Sequence, residues 1–140
     1  MNISFYLIPK SEVCYVYEDD TAEQALHKIH KKGFQAVPVI NKEGAYTGTV
    51  TEGDFLRMLT SEAADPSCFR EARVADIHKK WHYKSVSIDA RISELDQYIV
   101  NQNFVPVVDS RGIFSGIITR KVILEEFLKK YQHLLIEKEE

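Results

Sequence analysis

The chain has 140 residues, 44% of them hydrophobic and 28% charged, with a formal net charge of -3 at pH 7 and two cysteines. That balance suits one compact domain or two small fused halves. It offers no basic excess for nucleic acid, no acidic tract for a disordered tail and no apolar run long enough to span a membrane. The start of the chain lacks the pattern of a signal peptide, and Cys14 and Cys68 lie far apart in no motif, which together suit a reducing cytoplasm.

In chain order, residues 1–10 are an apolar lead-in. Val13 to Tyr17 is strand-like, with β-branched and aromatic residues. Asp19-Asp20-Thr21 starts a helix whose apolar face is Ala22, Ala25, Leu26 and Ile29 and whose end is Gly33. Ala36-Val37-Pro38-Val39-Ile40 is a strand, Asn41 to Gly44 a turn and Tyr46 to Val50 the returning strand. Thr51-Glu52-Gly53-Asp54 then leads into a helix beginning near Phe55. A helix start offers free N–H groups and a partial positive charge. Thr51 and Asp54 there form either a simple cap or a hydroxyl and carboxylate able to hold a sugar.

Ser61 to Phe69 is small and polar and reads as a linker. Val74 to Ile77 is helical in pattern, and Trp81 is large enough to anchor the irregular stretch that follows. Ser85 to Ile88 alternates as a strand. Asp89-Ala90-Arg91 opens a helix carrying Ile92, Leu95 and Ile99. Val105 to Val108 and Phe114 to Ile118 are strands around a turn at Asp109 to Gly112, with a helix from about Arg120.

The two halves repeat. Val37-Pro38-Val39 recurs 68 positions later as Val105-Pro106-Val107, and the same shift places Gly44 on Gly112, Gly48 on Gly116 and Thr51 on Thr119. Upstream of the Val-Pro strand, one or two residues must be dropped to superpose the first helices. Each copy of about 60 residues is marginal alone. The two are expected to pack about a rough twofold axis, with a cleft between them as the natural ligand site.

These motifs, in register and doubled, resemble a tandem pair of CBS domains, a Bateman module. The likeness implies an α/β (α+β) fold of two β-α-β-β-α repeats packed as a pseudo-twofold pair. The first repeat would span 1–64, a linker 65–73, the second repeat 74–130 and a C-terminal helix extension 131–140. The family implies a non-enzymatic regulatory sensor that binds an adenine nucleotide (AMP, ADP, ATP, S-adenosylmethionine or cyclic di-AMP) in the cleft and signals to an effector protein. The alternative class is a structural or dimerisation module that has lost ligand binding.

Carried onto this chain, the resemblance assigns Thr51 and Asp54 to ribose and phosphate. It assigns the adenine pocket to Lys84, Asn103, Phe104, Val105 and Pro106 of the other copy, with the strand entry near Tyr83 beside them. A carboxylate suits ribose hydroxyls because a charge-assisted hydrogen bond outweighs a neutral one. A second site would use Val13, Gln35, Ala36, Val37, Thr119 and Arg120. It is expected to be weaker, because Val122 stands where the ribose carboxylate should be. An unpaired ribose edge costs about 1–3 kcal/mol, or roughly 5- to 150-fold in affinity.

Other chemistry is not expected. His27 with His30 and His78 with His82 have helical spacing, but no third ligand is marked, so neither metal nor catalytic cofactor is expected. No nucleophile elbow or P-loop is present. The last helix carries Ile123, Leu124, Phe127, Leu128, Tyr131, Leu134 and Leu135 at spacings of three and four, beyond what closes the fold. That excess stripe points to a homodimer contact.

Overall fold

A computed structural model of the chain describes residues 2–61 and 65–139. Met1, Glu140 and residues 62–64, where the first repeat is expected to end, lie outside the described residues. The elements run β1 (Ile8–Pro9), β2 (Val16–Tyr17), α1 (Ala22–Lys32), β3 (Ala36–Ile40), β4 (Tyr46–Thr51), α2 (Glu52–Thr60) and α3 (Pro66–Glu71), followed by β5 (Val86–Ser87), α4 (Asp96–Ile99), β6 (Phe104–Val108), β7 (Phe114–Thr119) and α5 (Arg120–Glu139). The architecture is α+β with two sheets, ordered β2-β3-β4 and β1-β7-β6-β5.

The repeat is exact in register. Val16 pairs with Val39 in a parallel ladder, as Val86 does with Val107. The antiparallel hairpins bulge at the same place, between Val39 and Ile40 and between Val107 and Val108. Pro38 is tolerated in a middle strand because β2 reaches only Val39 and Ile40, so nothing on that side asks for its missing donor. Gly44 and Gly112 turn the hairpins at φ of 86° and 81°, a left-handed conformation that favours glycine. The two turns meet. Tyr46 N–H donates to Gly112 O at 3.1 Å, Phe114 N–H donates to Gly44 O at 2.9 Å, and the Tyr46 and Phe114 rings stack 6.2 Å apart. Equivalent residues thus bond reciprocally across the pseudo-twofold axis.

Each sheet carries its own core, but the lead-ins are exchanged. Ile3 packs with Val86, Leu95, Val105, Ile118 and Ile123 of the second repeat, and β1 pairs with β7. Val74 and Ile77 pack instead with Val16, Ile29, Val50 and Phe55 of the first. The exchange ties two marginal cores into one unit. Gly116 is required by it, since a Cβ there would lie 2.1 Å from Ile8 O.

Three local expectations change. The stretch read as linker contains α3, whose start is set by Asp65, accepting from Ser67 N–H at 3.1 Å, and by Pro66 in the first turn. The helix expected from Ile92 to Ile99 divides into a 3-10 turn at Ile92–Glu94 and the short α4. Its counterpart α1 begins with a full capping box between Thr21 and Gln24. Arg91 stands at Thr21's place and has no acceptor for the N–H groups of a helix start. The first strand is also shorter than its β-rich sequence suggests, since only Val16 and Tyr17 have a partner.

Candidate functional site

The junction of β4 and α2 builds the Thr51–Asp54 pair. Thr51 Oγ1 accepts from Asp54 N–H at 3.2 Å, and Asp54 Oδ2 accepts from Thr51 N–H at 2.9 Å. Asp54 is only 2% exposed, and its other oxygen pairs with the Arg57 guanidinium one turn on. The carboxylate is therefore a cap and an ion-pair partner at once, with lone pairs left over for a further donor. It borders a cavity of about 380 Å³ with Arg57, Met58, Ser61, Cys68, Asp76, Ile77 and His78.

The residues expected to complete this site from the other repeat do not line that cavity. Val105 and Pro106 are buried in β6. Lys84 is exposed and borders a separate cavity of about 160 Å³ with Trp81, His82 and Gln102. Its backbone is pinned by the buried Gln102 amide, which accepts from Lys84 N–H at 2.8 Å and donates to Lys84 O and Phe104 O, each at 3.1 Å. Asn103 N–H donates to Tyr83 Oη at 3.1 Å, and the Tyr83 ring lies 5.2 Å from that of Phe104.

Between the repeats lies a cavity of about 410 Å³ that gathers most of the other predicted set. Val13, Cys14 and Phe34 to Pro38 come from the first repeat, Asn103, Phe104, Ile117 and Thr119 from the second, with Ile8 and Glu12 of the lead-in at its edge. Val13, Gln35, Ala36, Val37 and Thr119 thus meet, joined by Asn103 and Phe104, which the sequence assigns to the other half. Arg120 is not among the lining residues. Its Nε donates to Gln102 O at 3.0 Å, which turns the guanidinium onto the loop. Val122 packs against the second core, and its N–H reaches Thr119 Oγ1 at 3.4 Å, a looser cap than Asp54 makes.

The walls of this cavity are mostly aliphatic and aromatic, while Thr119 brings a hydroxyl, Gln35 and Asn103 bring amides and Glu12 a carboxylate. An apolar slot with a few convergent polar groups suits a heteroaromatic base attached to a sugar. Sequence reasoning placed the strand entry near Tyr83 at the adenine pocket but missed Arg57 and Glu12. Arg57 had a signal, a cation three residues after Asp54 on a helix. Glu12 had none, because its place depends on how the lead-in crosses. On β4, Tyr46 Oη and Thr49 Oγ1 lie 2.6 Å apart, and burial raises the Tyr46 phenol well above its ordinary value against the opposing Thr49 hydrogen bond.

Comparison with known proteins agrees with this architecture. The CBS domain profile matches residues 7–61 and again 74–129. The chain is 25% identical over 135 residues to the cyclic di-AMP receptor B of Bacillus subtilis, covering 92% of this chain and 88% of that one. The crystal structure of CbpB in complex with c-di-AMP superposes with a TM-score of 0.80 at 25% identity, covering 98% of this chain and 91% of that one. A CBS domain protein from Streptococcus pneumoniae superposes at 0.81 and 26% identity, over 91% and 87%.

Proposed function

The chain belongs to the CBS-domain family, of which it carries two copies, and from that premise we propose that it is a regulatory sensor binding an adenosine-containing nucleotide, cyclic di-AMP foremost, in the cleft between its repeats. The observation that carries this reading is the open cavity of about 410 Å³ between the Gln35–Pro38 strand entry and Thr119. Its apolar walls take an adenine face, and the amides of Gln35 and Asn103 stand near for the base edge. Val122 offers nothing to a ribose, but Glu12 borders the same cavity and supplies the carboxylate from the lead-in instead. The Thr51–Asp54 half is the equivalent position of the other repeat, where Arg57 and His78 border the same outer cavity as Asp54.

The protein performs no chemistry on the ligand. It reports occupancy to an effector protein in the cytoplasm, where the thiols of Cys14 and Cys68 stay free. Reporting requires that the ligand prefer one arrangement of the repeats or of a homodimer over another, since equal affinity for both would shift nothing.

Calorimetric titration with cyclic di-AMP and AMP tests the reading. Saturable heat at or below about millimolar ligand is expected. It should vanish in Ala36→Trp, which fills the cavity, and weaken about 5- to 10-fold in Glu12→Gln, which removes a charge-assisted acceptor. Absence of heat with both ligands at millimolar concentration would leave a purely structural, dimerising module as the better description.

A further inference from the structure

The two halves of the cleft are built from equivalent positions, yet one is open and the other is filled. Val16 and Val86 hold the same place in their ladders, so Val13 and Tyr83, each three residues earlier, are counterparts. Val13 is small and borders the open cavity. Tyr83 lays an aromatic ring against Phe104 at 5.2 Å, tilted by 50°, and its hydroxyl oxygen accepts from Asn103 N–H at 3.1 Å.

That pair of contacts is the one a bound base would make: a flat face against an apolar wall and an acceptor on a backbone N–H. The neighbouring space is also taken. The Tyr46 and Thr49 hydroxyls are engaged with each other, 2.6 Å apart. Lys79 lies across Gly48, with Nζ 2.8 Å from where a Cβ would stand. The segment cannot swing away at no cost, because Gln102 holds Lys84 through both its N–H and its C=O. The outer cavity on this side, of about 380 Å³, is bordered by Asp54, Arg57 and His78, and neither Tyr83 nor Phe104 lines it.

We propose that Tyr83 is an internal occupant of the adenine position in the Thr51–Asp54 half, and so is the residue that confines the ligand to the Thr119 half. The inference rests on the adenosine-binding reading above and adds a count to it. The protein takes one adenosine unit per chain although it carries two half-sites, and the half with the better ribose carboxylate is the closed one.

The test is AMP, which has one adenosine, titrated into wild type, Tyr83→Val and Val13→Tyr, with amide hydrogen exchange measured on wild type and Tyr83→Phe. Wild type should bind one AMP per chain. Tyr83→Val copies the open half and should bind two. Val13→Tyr should close the open half and weaken binding at least about tenfold. Tyr83→Phe removes only the acceptor, so the Asn103 amide should exchange at least about tenfold faster even if a larger change impairs folding. Two AMP per wild-type chain, one per Tyr83→Val chain, or unchanged Asn103 exchange would each overturn the inference while leaving the sensor reading intact. No AMP binding by any variant, with no heat from cyclic di-AMP, would sink both.

Discussion

Asp54 and Asp109 show how one residue can hold the local fold and set a functional expectation. Asp54→Ala removes the acceptor for Thr51 N–H at the start of α2 and leaves Arg57 without its partner. The loss should be about 1–2 kcal/mol, read from the urea midpoint. AMP affinity should stay within about twofold, because Tyr83 keeps that half closed. The sequence made Thr51 and Asp54 legible as a pair, since hydroxyl and carboxylate three apart at a strand-to-helix junction is a local pattern. The cap was one of the two readings it offered, whereas the burial of the carboxylate and its pairing with Arg57 are decided by rotamers and packing. Asp109 carries a pH signature. Its carboxylate accepts from Arg111 N–H at 2.8 Å and Ile113 N–H at 3.0 Å, and the Arg111 backbone bond above all holds its carboxyl below the usual range. A depressed folded value means that the turn's stabilisation is complete above the unfolded carboxyl value of about 3.9 and is lost as pH falls through the folded value. The equivalent turn uses neutral Asn41, accepting from Glu43 N–H at 3.0 Å and Ala45 N–H at 2.9 Å. Acid titration followed by NMR should therefore loosen the second hairpin before the first. Simultaneous loosening would contradict the assignment.

The elements divide into those written locally and those set by exchange. The Val-Pro strands, their turns and the caps of α1 and α2 follow from short-range chemistry, and the doubled pattern fixes their register. The strand β1 does not: Ile8 and Pro9 carry no periodicity of their own and become a strand only by lying against β7. The pairing needs Gly116, so Gly116→Ala should cost about 1–3 kcal/mol through overpacking and raise amide exchange at Ile8 first. Gly112→Ala strains only a turn, with no atom within 4 Å of a Cβ, and should leave β1 protected. Equal effects on β1 would argue against the exchanged lead-in. The short α4 is likewise invisible beforehand, because the apolar spacing of Ile92, Leu95 and Ile99 is helical while the missing cap at Arg91 decides how the turn begins.

At the scale of the molecule, the fold leaves a large apolar surface uncovered. On α5, Leu124, Leu128, Tyr131, Leu134, Leu135 and Ile136 are 42–60% exposed, and on α2 Leu56 and Leu59 are exposed as well. Leu56 and Leu124 are repeat counterparts, so α2 and α5 present equivalent faces about the pseudo-twofold axis, as a twofold homodimer would use them. Among the described residues no helix is long and apolar enough to cross a membrane. Truncation after Leu128 should convert a dimer to a monomer in light scattering, and a dimer surviving the truncation would remove the end of α5 from the interface. The cleft itself depends on both repeats and both crossings, which is why the sequence located it while dividing its residues differently between the halves. Where the base lies decides between the two halves of the cleft. A crystal structure of the protein with cyclic di-AMP measures this directly: an adenine against Val13, Gln35 to Val37 and Thr119, with Tyr83 still on Asn103, is the predicted result. An adenine on Phe104 in the place of the Tyr83 ring, or a ligand bound outside the cleft, would contradict it.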